Sequence, residues 1–184
     1  IHPIGEDTSM NDTYLRYIMA EGILAKRAGF AVYLMARAFP GTETPVFDNW
    51  SDMLNCLNLW KPYVETLATL AEKYKFEYFD PYVELDNVVR VGTMVFNETA
   101  TDVLNQYYSD YLNITRQHFN GKVITQIAGV GEWIANLTLS DYDMVGCLIT
   151  NALLPLEGEN NVSTLMETYL TIMEEYSTNN SIPW

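Results

Sequence analysis

Asp80, Tyr82, Glu84, Asp86 and Asn87 fall within ten residues, YFDPYVELDN, that directly follow the aromatic stretch FEYF at 76–79. A strand that ends in such a cluster either runs into an ordinary solvated turn or delivers a carboxylate to a site. Similar residue types follow three other apolar runs: Arg37 and Phe39 after the first, Gln126, Glu132 and Trp133 after the third, Thr150 and Asn151 after the fourth. Carboxyls, an arginine, amides and aromatic rings together suit sugar chemistry. Aromatic faces stack on sugar rings, amides and carboxylates bond hydroxyls, and glycoside hydrolysis needs two carboxyl groups flanking the scissile bond. In that chemistry one carboxyl of the cluster serves as general acid/base, its proton held by the aromatic surroundings. Arg37, Tyr82, Asn87, Gln126 and Trp133 are the candidate substrate contacts.

The elements that must position these residues alternate along the chain. Ser9 suits the cap of a helix starting near Met10, with Tyr14, Leu15, Ile18, Met19 and Ile23 at helical spacing and Gly29 at its C′ position. FAVYLMARA at 30–38 then reads as a strand covered on both faces. Ser51 suits the cap of a second helix, and Pro62 predicts a fresh helical segment there. FEYF is the next strand. Residues 99–118 place Val103, Leu104, Tyr107, Tyr108, Tyr111 and Leu112 on one helical face, before VITQIAG at 123–129. A short link, a fourth strand YDMVGCLI at 142–149 and a last helix near Val162–Tyr176 complete the series, that helix with Met166, Tyr169, Leu170 and Met173 turned inward. This is α/β, with parallel βα repeats and the strands adjacent in chain order. A doubly wound sheet and a (β/α)8 barrel both fit. No G-x-G-x-x-G or G-x-x-x-x-G-K-[ST] follows any strand, so phosphate binding gives no reason for the open sheet.

Composition narrows the classes. The 184 residues carry a formal charge of −14, which disfavours a nucleic-acid partner, and no Lys or Arg follows Lys122. No apolar run approaches the ~20 residues of a membrane span. His2 and His118 lie far apart, and Cys56 and Cys147 lack metal-ligand spacing, so neither a metal nor a cofactor is expected. Asn-x-Ser/Thr occurs at Asn11, Asn49, Asn97, Asn113, Asn136, Asn161 and Asn179. Chance predicts about two such triplets at this composition. The excess points to an N-glycosylated protein outside the cytoplasm or at the cell surface, and the Ile1 start to a mature or excised piece.

Read together, MAEGILAKRAGFAVYLMARAF, LATLAEKYKFEYFDPYVELDN, HFNGKVITQIAG and LSDYDMVGCLITNALLP resemble consecutive strand regions of a clan-A TIM-barrel glycoside hydrolase, nearest to the mannanase-like families. The terminal NNSIPW resembles the approach to the seventh strand. The resemblance implies that residues 1–184 form a single, incomplete barrel domain covering roughly strands three to six. It places Glu84 at the acid/base position, where Val83 stands in for the usual Asn, and Arg37 at a polar position ending the third strand. It also implies a nucleophile glutamate beyond Trp184, a carbohydrate substrate, and the rest of the barrel supplied by the parent chain or another chain. Two alternatives stay open: a carbohydrate-binding glycoprotein without catalysis, and an extracellular structural protein of the surface-layer or filament kind.

Overall fold

A computed structural model describes residues 12–37, 47, 49–93, 98–128, 132–147 and 160–184. In chain order these form α1 (Asp12–Arg27), β1 (Tyr33–Met35), α2 (Trp50–Lys73), β2 (Tyr78–Asp80), α3 (Leu85–Thr93), α4 (Glu98–His118), β3 (Lys122–Ile127), a 3-10 helix (Glu132–Asn136), β4 (Met144–Cys147) and α5 (Asn160–Asn180). The four strands form one sheet in the order β1-β2-β3-β4, and every neighbouring pair is parallel. The expected repeat and strand order are therefore observed. Segment 182–184 continues the pattern along the free edge of β4, where Val145 N–H donates to Pro183 O at 2.9 Å.

Strand alternation gives the sheet two unlike faces. Leu34, Phe79, Val123, Ile127 and Val145 point to the helices, each at most 8% exposed. On that side Trp60, Tyr82, Tyr108, Tyr111 and Phe119 are fully buried, each side chain contributing about 1.5–3 kcal/mol of hydrophobic stabilisation. Several polar tips in this layer bond carbonyls of neighbouring elements, Trp60 Nε1 donating to Pro81 O at 3.0 Å, whereas the Tyr82 and Tyr108 hydroxyls find no partner among the described residues. Tyr111 Oη donates to Leu57 O at 2.9 Å and Tyr107 Oη to Leu54 O at 3.2 Å, which fixes α4 along α2. Tyr142 Oη donates to Tyr108 O at 2.9 Å. Thr115, on the same buried side of α4, is 0% exposed, and its hydroxyl finds no hydrogen-bond partner among the described residues. The opposite sheet face carries Tyr33, Met35, Tyr78, Asp80, Ile124, Gln126 and Met144, and Met35 there is 54% exposed.

Several boundaries differ from the sequence reading. β1 covers only 33–35, and Phe30 is 68% exposed: the ladder exists only where the segment runs beside β2. The cap of α2 is Asn49, whose Oδ1 accepts from Asp52 N–H at 3.0 Å, and Ser51 lies inside the helix. Pro62 does not divide α2, because Leu57, Trp60, Tyr63, Val64 and Leu67, on both sides of it, are buried in one core. Their packing outweighs the roughly 3 kcal/mol that an interior proline costs. Leu170, expected inward, is 41% exposed, and helix α3 was not foreseen. The Ser9 cap falls outside the described residues.

Three helices end in one motif. After α1, Gly29 is at φ +87°, Gly29 N–H donates to Lys26 O and Phe30 N–H to Ala25 O. After α2 the same positive-φ position is Lys75 (φ 57°), and after α5 it is Ser181 (φ 55°), with Ile182 N–H on Ser177 O. A side chain in this left-handed region costs roughly 1–2 kcal/mol. Lys75→Gly is therefore expected to raise stability by about 1 kcal/mol, since the exposed Lys75–Glu72 pair contributes little. Calorimetry should read this as a Tm gain of about 2–4 °C. An unchanged or lower Tm would show that the turn holds no such strain.

Cys56 on α2 and Cys147 on β4 are both free thiols, and burial pushes each up to about 11. Among the described residues no helix is long and apolar enough to cross a membrane, and no cluster of three His, Cys, Asp or Glu is placed to hold a metal.

Candidate functional site

The segment after β2 is no solvated turn. Asp80 and Asp86 are 0% exposed and Glu84 is 6% exposed. The backbone here is stitched to the strands on both sides: Ala36 N–H donates to Asp80 O, Val83 N–H to Ala36 O at 2.8 Å, and Glu84 N–H to Gln126 O at 2.9 Å. Asp86, in the first turn of α3, accepts from Ala128 N–H at 2.8 Å. The C-terminal ends of β1, β2 and β3 are thereby drawn into one edge, the side on which parallel α/β barrels carry their sites.

Asp80 lies under this edge. Its Oδ1 accepts from Tyr82 N–H at 3.0 Å, and its Oδ2 accepts from Gln126 N–H at 3.0 Å and from Tyr33 Oη at 3.2 Å. Burial pushes its carboxyl up to about 8, against the pull of those three donors. The same burial, with Asp80 beside it, drives the Tyr33 hydroxyl far above its usual range. Sequence reading placed Asp80 in the cluster and gave it no part in the site. A carboxylate at the very end of an apolar strand, on the parity opposite to Phe79, was the available signal.

Glu84 is the second buried carboxylate of the edge, and this one meets a cation. Its φ of +59° is unusual for a residue with a side chain, and it opens onto α3 by accepting from Asn87 N–H at 3.1 Å. Its Oε2 accepts from Arg37 Nη2 at 2.9 Å, with Arg37 34% exposed. A carboxylate and a guanidinium thus meet where β1 and β2 end. Gln126 lies alongside on β3, next to Gly146, where an added Cβ would sit 3.2 Å from Gln126 Cγ.

Of the sequence-based candidates, Arg37, Glu84, Asn87 and Gln126 are brought together at this edge. Tyr82 is not: its ring is 1% exposed, stacked on Tyr111 at 5.6 Å and edge-on to Trp60 at 5.7 Å. Residues two apart, such as Tyr82 and Glu84, share a direction only in an extended segment, and the left-handed turn at Glu84 breaks that parity. Trp133 belongs to the 3-10 helix, and its side chain lies outside the described residues. Asp143 is structural, accepting from Arg116 Nη2 and Val123 N–H, both at 2.7 Å. Of the glycosylation candidates, Asn49, Asn113, Asn136 and Asn179 are exposed. Asn11 and Asn97 fall outside the described residues, as does the side chain of Asn161.

No family model matches the chain, and no curated protein does. Its fold is similar to that of solved glycoside hydrolases. The GH113 β-mannanase AaManA from Alicyclobacillus acidocaldarius superposes at a TM-score of 0.59 with 13% identity, over 91% of this chain and 49% of its own. A second GH113 β-1,4-mannanase gives 0.57 and 17%, over 88% and 48%. PbGH5A, a glycoside hydrolase family 5 enzyme from Prevotella bryantii B14, gives 0.68 and 13%, over 94% and 55%. The chain spans about half the length of these structures, and its fold is that of part of a (β/α)8 TIM barrel.

Proposed function

We propose that this chain is the acid/base-bearing portion of a secreted glycoside hydrolase-like protein that acts on a polysaccharide or glycan. Glu84 serves as general acid/base, Arg37, Asn87, Gln126 and Trp133 contact the sugar, and strands outside this chain supply the nucleophile. The observation that carries the reading is the Glu84 backbone. A glutamate held at φ +59°, buried, and pinned to its neighbours at the C-terminal edge of a parallel sheet is local strain of the kind that accumulates at functional sites. The role requires Arg37 to leave Oε2 as the sugar enters, so that the carboxyl can carry a proton to the departing oxygen. The seven sequons support an extracellular glycoprotein.

The test is an assay of the longest natural protein containing this chain against β-1,4-mannan, cellulose, xylan and their oligosaccharides. Reducing-end release that requires intact Glu84 is the expected result. Saturable binding of a polysaccharide without release would favour the second reading, a carbohydrate-binding barrel. That reading draws on the engagement of Glu84 by Arg37 and the burial of the Tyr82 ring. Neither binding nor release would leave an extracellular structural role.

A further inference from the structure

The outer helical layer is uneven. α2 and α4 cover their crossovers with 24 and 21 residues, whereas the described residues of the link from β3 to β4 hold a five-residue 3-10 helix. Between that short helix and α5 runs a groove of about 440 Å³, within the ~300–1,000 Å³ typical of small-ligand sites. Ala135 and Ile172 are the accessible apolar residues of its floor, set over the buried Ile134 and Tyr176, with Glu175, Asn179 and Asn180 among the residues around it. Both walls carry sequon asparagines. Asn179 itself lines the groove, and Asn136 is the last residue of the 3-10 helix. Their hydroxyl partners Ser181 and Thr138 are exposed, as are both asparagines.

We propose that an N-linked glycan on Asn179 lies in this groove, its first sugar packing on Ile172 and Ala135 beside the short link. The proposal rests on the extracellular glycoprotein reading above. Attachment forms a bond from Asn179 Nδ2 to the sugar C1 and breaks the C1–O bond to a lipid-diphosphate donor. The diphosphate departs with the bonding electrons, and Nδ2 gives up one proton and keeps the other. The C–H faces of the sugar pack on the apolar floor, and its hydroxyls find polar partners in Glu175 and Asn180. A neutral, hydroxyl-rich occupant suits a groove with a glutamate beside it, in a stretch of chain with no Lys or Arg after Lys122.

Protein from its natural source, mapped by glycopeptide mass spectrometry, should carry sugar on Asn179. Nuclear Overhauser contacts should join that sugar to the Ile172 methyls. Asn179→Gln should lower Tm by about 2–4 °C. Ile172→Ala should cost more in the glycosylated protein than in the Asn179→Gln background, a coupling that a solvent-pointing glycan lacks. A glycan on Asn179 with neither contacts nor coupling would overturn the proposal. A bare Asn179 beside sugar on Asn113 or Asn136 would overturn it too, while leaving the glycoprotein reading intact. Absence of sugar from every sequon would remove both.

Discussion

Glu84→Gln in the natural full-length protein should reduce hydrolysis of unactivated polysaccharide by about 10²–10⁴-fold while leaving polysaccharide binding near the parent value. The amide has the shape of the carboxyl and still accepts from Arg37, but it cannot give a proton to the leaving oxygen. Arg37 is 34% exposed, so water can solvate a guanidinium that has lost its anionic partner, and the fold should persist. Leaving-group chemistry separates this role from a structural one. An aryl glycoside with an acidic phenol departs without protonation, so the loss should shrink on such substrates. A variant that hydrolyses unactivated glycosides at the parent rate would remove Glu84 from the acid/base role.

Stability should fall by several kcal/mol as pH rises from about 4 to about 8, and Asp80→Asn should remove most of that slope. In the fold, burial raises Asp80 to about 8, from the 3.8 of an ordinary aspartate. Between those values the folded chain keeps a proton that the unfolded chain has lost. The stability linked to it is thus fully present below about pH 4 and is lost as pH passes 8, at up to ~1.4 kcal/mol per unit. Glu72, held low by Lys75 and the Asn120 N–H, and Glu77, held low by Lys26 and the Val32 N–H, act in the opposite sense, their contributions being lost as pH falls. General repulsion among the carboxylates of a −14 chain also weakens the fold as pH rises, so the wild-type slope alone is not diagnostic. The difference between wild type and Asp80→Asn isolates one group. Urea denaturation at pH 4.5, 6 and 8 would measure it, and parallel slopes for the two proteins would sink the assignment.

What was legible in the sequence follows from the reach of each signal. Four apolar runs separated by amphipathic helices carry their own periodicity, so strand number, order and parallel sense could be read without tertiary information. Gly29 could be placed at its turn because glycine tolerates positive φ. Lys75, Glu84 and Ser181 adopt the same backbone against their own preference, and only the contacts around them hold them there. The residue types at the strand ends gave Arg37, Glu84 and Gln126 their common edge. They could not tell which side chains face outward, because a single left-handed residue reverses the parity on which such readings depend. That is why Tyr82 and Glu84 part company, Tyr82 entering the core while Glu84 meets Arg37. Pro62 was read locally, as a break, where the decisive term was the non-local packing of its neighbours.

The burial of Thr115 bears on the order of events in the life of the chain. If Asn113 is glycosylated, the modifying enzyme must recognise the hydroxyl of its sequon partner, which is Thr115, and that hydroxyl is shut away once α4 has docked. Asn113 can then be modified only on a nascent or newly released chain, whereas Asn179, whose partner Ser181 is exposed, stays open afterwards. Sugar at Asn113 would be a record of slow docking, and the fraction of molecules lacking it would count those that folded before the enzyme arrived.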